Sequence, residues 1–141
     1  MSVVYAATLK TNRMQLVADL ISSKVMATST GTAAVGSLVI GTSALSGATG
    51  VLVTIPLSAT AGTVSGNVFT LSGTPLSATA GASGTAALAE FRNNAGTTIV
   101  SGLTVGGTAE GTASGKDVVL GASTISSGQT VSVSSATITH G

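Results

Sequence analysis

Cysteine is absent from the 141-residue chain. Disulfide scaffolds, thiolate zinc sites and thiol redox chemistry are therefore excluded. Charge is nearly absent too: Asp, Glu, Lys and Arg together make up 6% of residues, against about 25% in an ordinary globular chain. A nucleic-acid binder concentrates cations to displace counterions from phosphate. Here Lys10, Arg13, Lys24, Arg92 and Lys116 are the whole supply, scattered along a chain of formal net charge +1, so nucleic acid is not an expected partner. Tryptophan is missing, and Tyr5, Phe69 and Phe91 are the only aromatic residues, which leaves little to stack on bases.

Groups that carry chemistry are equally sparse. His140 is the only imidazole and the second-last residue, the position of a solvated tail. The four carboxylates are Asp19, Glu90, Glu110 and Asp117. Glycoside hydrolysis needs two of them held across one bond, and no spacing here announces such a pair. Serine and threonine abound, but a hydroxyl nucleophile needs a neighbouring base. "GTASGKD" (Gly111–Asp117) brushes against a phosphate-loop pattern, yet Glu110 stands where the first glycine belongs and Asp117 follows Lys116. A carboxylate there repels phosphate, so the segment reads as a glycine-rich turn before a strand. No metal-binding motif is present either. The expectation is a protein that is not an enzyme and holds no cofactor or metal.

No charged residue occurs between Lys24 and Glu90. A membrane-spanning helix needs about 20 mainly apolar residues, and the best window, Ala33 to Leu57, is broken repeatedly by Gly, Ser and Thr. The apolar stretch Leu16 to Ile21 is short for a signal peptide and contains Asp19. Neither a membrane partner nor a signal peptide is expected.

What the chain does have is apolar mass: 43% hydrophobic residues and a mean hydropathy of +0.61, the opposite of a disordered composition. A single core in a chain this long buries roughly 70% of the surface exposed on unfolding. Its surface must be built largely from Ser, Thr and Gly, whose short side chains lose little rotamer entropy when covered.

Residues 1–10 read as an extended arm. Asn12 and Gln15 match a capping box, which predicts a helix start. Met14, Leu16, Val17, Leu20 and Ile21 then share one side of a helix, with Arg13 and Lys24 at opposite ends of that stripe. Two uses fit: a core-facing helix whose end charges reach solvent, which is the ordinary one, and a docking helix with two basic anchors. Residues 1–28 form an arm and helix and 29–141 a β body, within a single domain.

Beyond Lys24 short apolar runs alternate with Gly, Ser and Thr turns. Strands are predicted at Ser37–Gly41, Val51–Leu57, Asn67–Leu71, Gly84–Arg92, Thr97–Val105, Asp117–Leu120 and Gln129–His140. "NNAG" (Asn93–Gly96) predicts a hairpin. In the last strand Val131 and Val133 are out of phase with Ala136 and Ile138, which predicts a bulge near Ser134–Ser135. Glu90 and Arg92, two apart on one strand, face the same way and predict a surface or interface ion pair. "PLSATAG" occurs twice, at Pro56–Gly62 and Pro75–Gly81, and reads as two similar strand-and-turn connections, each glycine supplying a backbone angle other residues avoid. About seven or eight strands at spacings of roughly 8–12 residues predict a mainly β fold: a jelly-roll-like two-sheet sandwich with one short N-terminal helix.

The order of these features, "TNRMQLVADLI" (Thr11–Ile21) before a β body containing "SGTAALAEFRNNAGTTIVSGLTVG" (Ser83–Gly106) and ending in "GKDVVLGASTISSGQTVSVSSATITHG" (Gly115–Gly141), resembles the small cement, or decoration, proteins of tailed bacteriophages. The likeness is similar in particular to those of short-tailed phages. It implies a jelly roll on the outer surface of the virion, made in the host cytoplasm, that bridges neighbouring subunits of the major capsid protein. It also implies a homodimer on two-fold or local two-fold axes. Lys10, Arg13, Leu16, Leu20, Lys24, Glu90 and Arg92 are the candidate capsid or dimer contacts. The alternative is a carbohydrate-binding adhesin module of a fibre or tail, a common use of the fold, against which the shortage of aromatic rings weighs.

Overall fold

The computed structural model describes residues 3–24, 31, 34–58 and 60–139. One helix, α1 (Ala7–Ile21), precedes eleven strands: β1 (Ser37–Ser46), β2 (Thr49–Pro56), β3 (Gly62–Ser65), β4 (Val68–Leu71), β5 (Leu76–Thr79), β6 (Gly84–Thr85), β7 (Leu88–Arg92), β8 (Thr98–Gly107), β9 (Val118–Leu120), β10 (Thr124–Ile125) and β11 (Thr130–Thr139). The fold is a mainly β sandwich with one short helix, as the alternating pattern predicts. Its larger sheet runs β2-β1-β7-β8-β9-β11-β4-β3, with β5 also paired to β11, and β6 pairs with β10 in a small second sheet. All pairs are antiparallel except β8 and β9.

The β2-β1-β7-β8 half faces the β9-β11-β4-β3 half across one core. Cross-strand neighbours Leu38, Ile55 and Phe91, with Ile40, Val53 and Ala89 beside them, turn the same way inward. Phe69 and Leu71 of β4 and Val131, Val133 and Ala136 of β11 meet them from the other half. Phe69 and Phe91 touch edge to face, their centroids 5.7 Å apart and their planes at 80°, a favoured aromatic geometry. Beyond β5, the Gly81 N–H donates to Leu52 O of β2 (2.9 Å), which ties the two halves together along a second line.

Two local expectations hold. The β7–β8 hairpin turns at Asn93–Gly96, where Asn93 Oδ1 accepts from the Ala95 and Thr97 N–H groups (3.0 Å each). The ladder between β11 and β9 shifts register between Val133 and Ser135, which moves the inward phase from Val133 to Ala136. The strand expected at Gly84–Arg92 is divided into β6 and β7, and β3, β5 and β10 add short strands. These lie in Ser-, Thr- and Ala-rich stretches that lack an alternation of large apolar residues.

The two PLSATAG copies differ. In the first, β2 ends at Pro56 and β3 begins at Gly62; in the second, Leu76–Thr79 is itself a strand, β5. Neither terminal glycine has a positive φ. At Gly62 the requirement is space, because a Cβ there would collide with the Phe69 ring and with Thr70 O. Both copies bury their second alanine, Ala61 and Ala80.

The N-terminal expectation is corrected in two ways. The helix starts at Ala7, with Ala6 as a cap that makes no side-chain hydrogen bond, so Asn12 lies inside it and the described arm shrinks to residues 3–6. Ala, Leu and Lys are strong helix formers, and they extend the helix through Ala7–Lys10 past the capping-box signal. The buried side is Met14, Ala18 and Ile21, while Leu20 is exposed and Leu16 half-buried. A stripe drawn through large residues alone overlooks Ala18, which lets the helix sit close to the sheet, and Asp19, which is buried and accepts from Gln15 Nε2 (3.1 Å). The helix packs on β3, β4 and β8. Its end is anchored where Ala61 N–H donates to Ser22 Oγ (3.3 Å) and Ala34 N–H to Ser22 O (2.9 Å). The expected division at residue 28 lies outside the described residues, but α1 shares the sandwich core. No helix among the described residues is long and apolar enough to cross a membrane.

This placement makes two adjacent residues behave differently. Ile21→Ala is expected to lower unfolding stability by about 2–5 kcal/mol, whereas Leu20→Ala stays within about 0.5 kcal/mol of the parent. Urea titration of both variants measures the contrast; equal losses would reverse the assigned orientation of α1.

Candidate docking surface

The outward side of α1 is apolar as well. At 100° per residue Leu9, Leu16 and Leu20 fall within about 40° of one another, with Arg13 about 20° further round. Leu9 and Leu20 are exposed. Val3, Val4 and Tyr5 continue from the start of the helix, and Val4 is 88% exposed. Val35 lies exposed at the other end, next to Ala34, which is bonded to Ser22. These six are all the exposed large apolar residues among the described residues, and none lies on the sandwich strands. Scattered single exposures are ordinary, whereas concentration in one region is the mark of a contact site.

The cations frame this region. The Arg13 guanidinium sits 4.2 Å from the centroid of the Tyr5 ring, a cation–π contact that holds the N-terminal segment against the helix. Lys10 is half-buried and lines a shallow groove of about 280 Å³ with Tyr5, Ala7, Gly66 and Asn67. Lys24, also half-buried, follows the helix, and its N–H donates to Asp19 O (2.8 Å). The structure thus gathers Arg13, Leu16 and Leu20 on one outward side, with Lys10 toward the groove and Lys24 at the far end. Sequence reasoning missed Val3, Val4, Tyr5, Leu9 and Val35. Leu9 had a usable signal, since it stands seven residues before Leu16, two helical turns on the same side.

Glu90 and Arg92 occupy a different place. They project from β7 on the face opposite Phe91 and pair with each other, as their spacing predicts. Glu90 is only 6% exposed and also accepts from Thr98 Oγ1 (3.2 Å). Arg92 Nη2 donates to Gly47 O at the tip of the β1–β2 hairpin. Ser37, the cross-strand partner of Arg92, is ten residues from Gly47, about 30 Å along a straight strand. The hairpin must therefore double back over the outer face of the sheet. It bends where Thr42–Leu45 face only Gly50, between the pairs Gly41↔Val51 and Ser46↔Thr49. Leu45 fills the space beside Gly41, where a Cβ would lie 2.7 Å from Leu45 Cδ1 and 2.5 Å from Gly50 O. Underneath, Val39 is fully buried although it is outside the main core. Both charged side chains are thus engaged within the chain, buttressing this fold-back.

The remaining carboxylates hold loops. Asp117 Oδ2 accepts from Thr104 N–H (2.9 Å) and Thr104 Oγ1 (3.0 Å), which aligns β9 beside β8 for their parallel pairing. Glu110 accepts from the Ser123 and Thr124 N–H groups (2.9 and 3.1 Å). The Gly111–Asp117 segment leads into β9, a strand, and not into the helix that a phosphate loop requires. Among the described residues no group of three or more His, Asp or Glu comes together to hold a metal ion; His140 lies outside the described residues.

The two backbone hydrogen bonds, from Ser123 and then Thr124, hold the Glu110 carboxyl below its ordinary value of 4.5. A depressed folded-state pKa gives stability that is present above the unfolded value and is lost as pH falls through the folded one. The difference in melting temperature between the parent and Glu110→Gln is therefore expected to be largest at neutral pH and to close below pH 4.5. A pH-independent gap in thermal melts would contradict this role. Comparison with protein-family models, curated proteins and solved structures gives no match, and the surface is read from its own geometry.

Proposed function

We propose that the chain is a structural decoration protein that attaches to the outer surface of an icosahedral phage capsid and cements neighbouring subunits of the major capsid protein. The observation that carries this reading is that every exposed large apolar residue described lies on or beside α1 and none on the sandwich strands, whose exposed surface is mostly Ser, Thr and Gly. The resemblance of Ser83–Gly106 and Gly115–Gly141 to phage cement proteins supports it. A stable protein contact buries about 1,600 Å² in total. Repeated over a lattice, contacts of that order resist forces that one alone could not, because neighbouring subunits are released only when several break together. Pairing of the protein on two-fold or local two-fold axes of the shell, through one self-complementary patch, belongs to the same proposal.

The chain is read as non-catalytic, with Glu90, Glu110 and Asp117 engaged in holding its own strands and loops. A carbohydrate-binding role draws no comparable support. Phe69 and Phe91 are fully buried, which leaves Tyr5, with Arg13 over one face of its ring, as the one exposed aromatic residue described.

Co-sedimentation with purified empty shells of the phage that encodes the chain tests the proposal. Saturable attachment in many copies, with an increase in the temperature at which shells open, is expected. Absence of attachment over a wide range of protein concentration would overturn it.

A further inference from the structure

We infer that the tip of the β1–β2 hairpin, residues 42–50, is a latched strap that opens while the sandwich stays folded and so uncovers an apolar patch on the outer face of β1 and β7. Val39, Leu45 and Leu88 belong neither to the main core nor to the hydrophobic residues packed against it. Strand alternation turns Val39, Gly41 and Leu88 outward, because Leu38, Ile40 and Ala89 face the core. Leu88 is the cross-strand neighbour of Gly41, and Leu45 lies over Gly41 from the strap. Val39 is 0% exposed, and Leu45 and Leu88 are half-buried. These residues form a small cluster of their own, of the kind found under loops, on the outward side of the sheet.

Few interactions keep the strap closed. Leu45 is its only large apolar side chain, and its other residues are Thr, Ser, Ala and Gly. Its ladder is broken, since residues 42–45 face only Gly50. Among the described residues, the one hydrogen bond from the strap to β7 runs from Arg92 Nη2 to Gly47 O. That latch is assembled on the sheet beforehand. Glu90 pairs with Arg92 and accepts from Thr98 Oγ1 (3.2 Å), and the strap contributes a single backbone carbonyl. Opening breaks this bond and the packing of Leu45. It leaves the pairing of β1 with β2 over residues 37–41 in place, together with the inward Leu38, Ile40, Val53 and Ile55. Segments with so few buried apolar contacts open well below the free energy of global unfolding. Glycine stands at both ends of the strap, where a hinge must absorb the change in backbone angles. Gly50 has φ +74°. A Cβ at Gly41 would lie 2.5 Å from Gly50 O and 2.7 Å from Leu45 Cδ1, so the closed strap requires glycine there.

Thiol labelling of the full chain tests the inference. The chain has no cysteine, so one introduced thiol reports on one position. Val39→Cys places it under the strap, and Val53→Cys places it in the main core from the same hairpin. Labelling by Ellman's reagent, at concentrations where rate is proportional to reagent, is expected to be about tenfold or more faster for Val39→Cys. Its rate should change little in low urea, because opening the strap exposes little surface, whereas the Val53→Cys rate should climb steeply. Arg92→Lys keeps a cation beside Glu90 but lacks the fork that also reaches Gly47. Either Arg92→Lys or Gly41→Ala is expected to speed labelling of Val39→Cys by about tenfold. Val133→Ala, a cavity in the opposite half of the core, should speed labelling of Val53→Cys by at least about tenfold and leave that of Val39→Cys unchanged. Equal rates and equal urea dependence in the two parent thiols would overturn the inference, since Val39 would then be reached only by global unfolding. A Val133→Ala effect of the same size on both thiols would overturn it too. So would Val39→Cys labelling as fast as Ser43→Cys on the exposed tip, because no closed form would then exist.

Discussion

Phe69 and Phe91 meet edge to face in the middle of a core otherwise made of Ala, Val, Leu, Ile and one Met. They are the two largest fully buried side chains, one from each half of the sandwich. With so little aromatic volume available, the core reaches native density only if the strands approach closely around that pair. Gly62 beside the Phe69 ring shows this requirement, as do Ala61, Ala80, Ala86, Ala89 and Ala136 among the buried residues. The helix completes the same core with Met14, Ala18 and Ile21. A helix fixed in this way cannot turn its leucines inward, and Leu9 and Leu20 are held at the surface by the packing of their neighbours.

The sequence spelled out those parts of the fold where large apolar residues alternate or a turn residue has one use. The Leu38–Ile40 region of β1, the Asn93 turn and the phase change in β11 belong to this group. The rest depended on contacts distant along the chain. PLSATAG is the plainest instance: one copy forms a connection and the other a strand, because β11 offers a pairing edge to Leu76–Thr79. Short side chains weaken local preference, so the partner decides. The parallel pairing of β8 with β9 and the fold-back of the β1–β2 hairpin have the same origin. Alternation specifies which face is buried and carries no information about the direction of the neighbouring strand.

For the docking surface, legibility followed helical period. Arg13, Leu16 and Leu20 were found, and Leu9 was lost only because the capping-box pattern at Asn12 set the helix start too late. Val3, Val4 and Val35 could not be found, since their exposure depends on how the chain enters and leaves α1. The spacing of Glu90 and Arg92 revealed their pairing. It did not reveal that Gly47, which precedes Arg92 by forty-five residues, would complete the set.

Charge is divided along the same lines. In the sandwich the carboxylates are engaged by the chain's own amides, hydroxyls and arginine, leaving a surface dominated by hydroxyl and glycine. At α1 the exposed side chains are largely apolar, and Lys10, Arg13 and Lys24 lie along the helix and just beyond its end. The proposed attachment uses this division: one adhesive end, and a body that resists deformation when neighbours pull on it. A cryo-electron microscopy reconstruction of shells decorated with the protein tests it most directly. The account predicts density in which the outward face of α1, including Leu9 and Leu20, lies against the shell and the Gly111–Gly115 loop points into solvent. Contact through that loop with α1 facing solvent would contradict it.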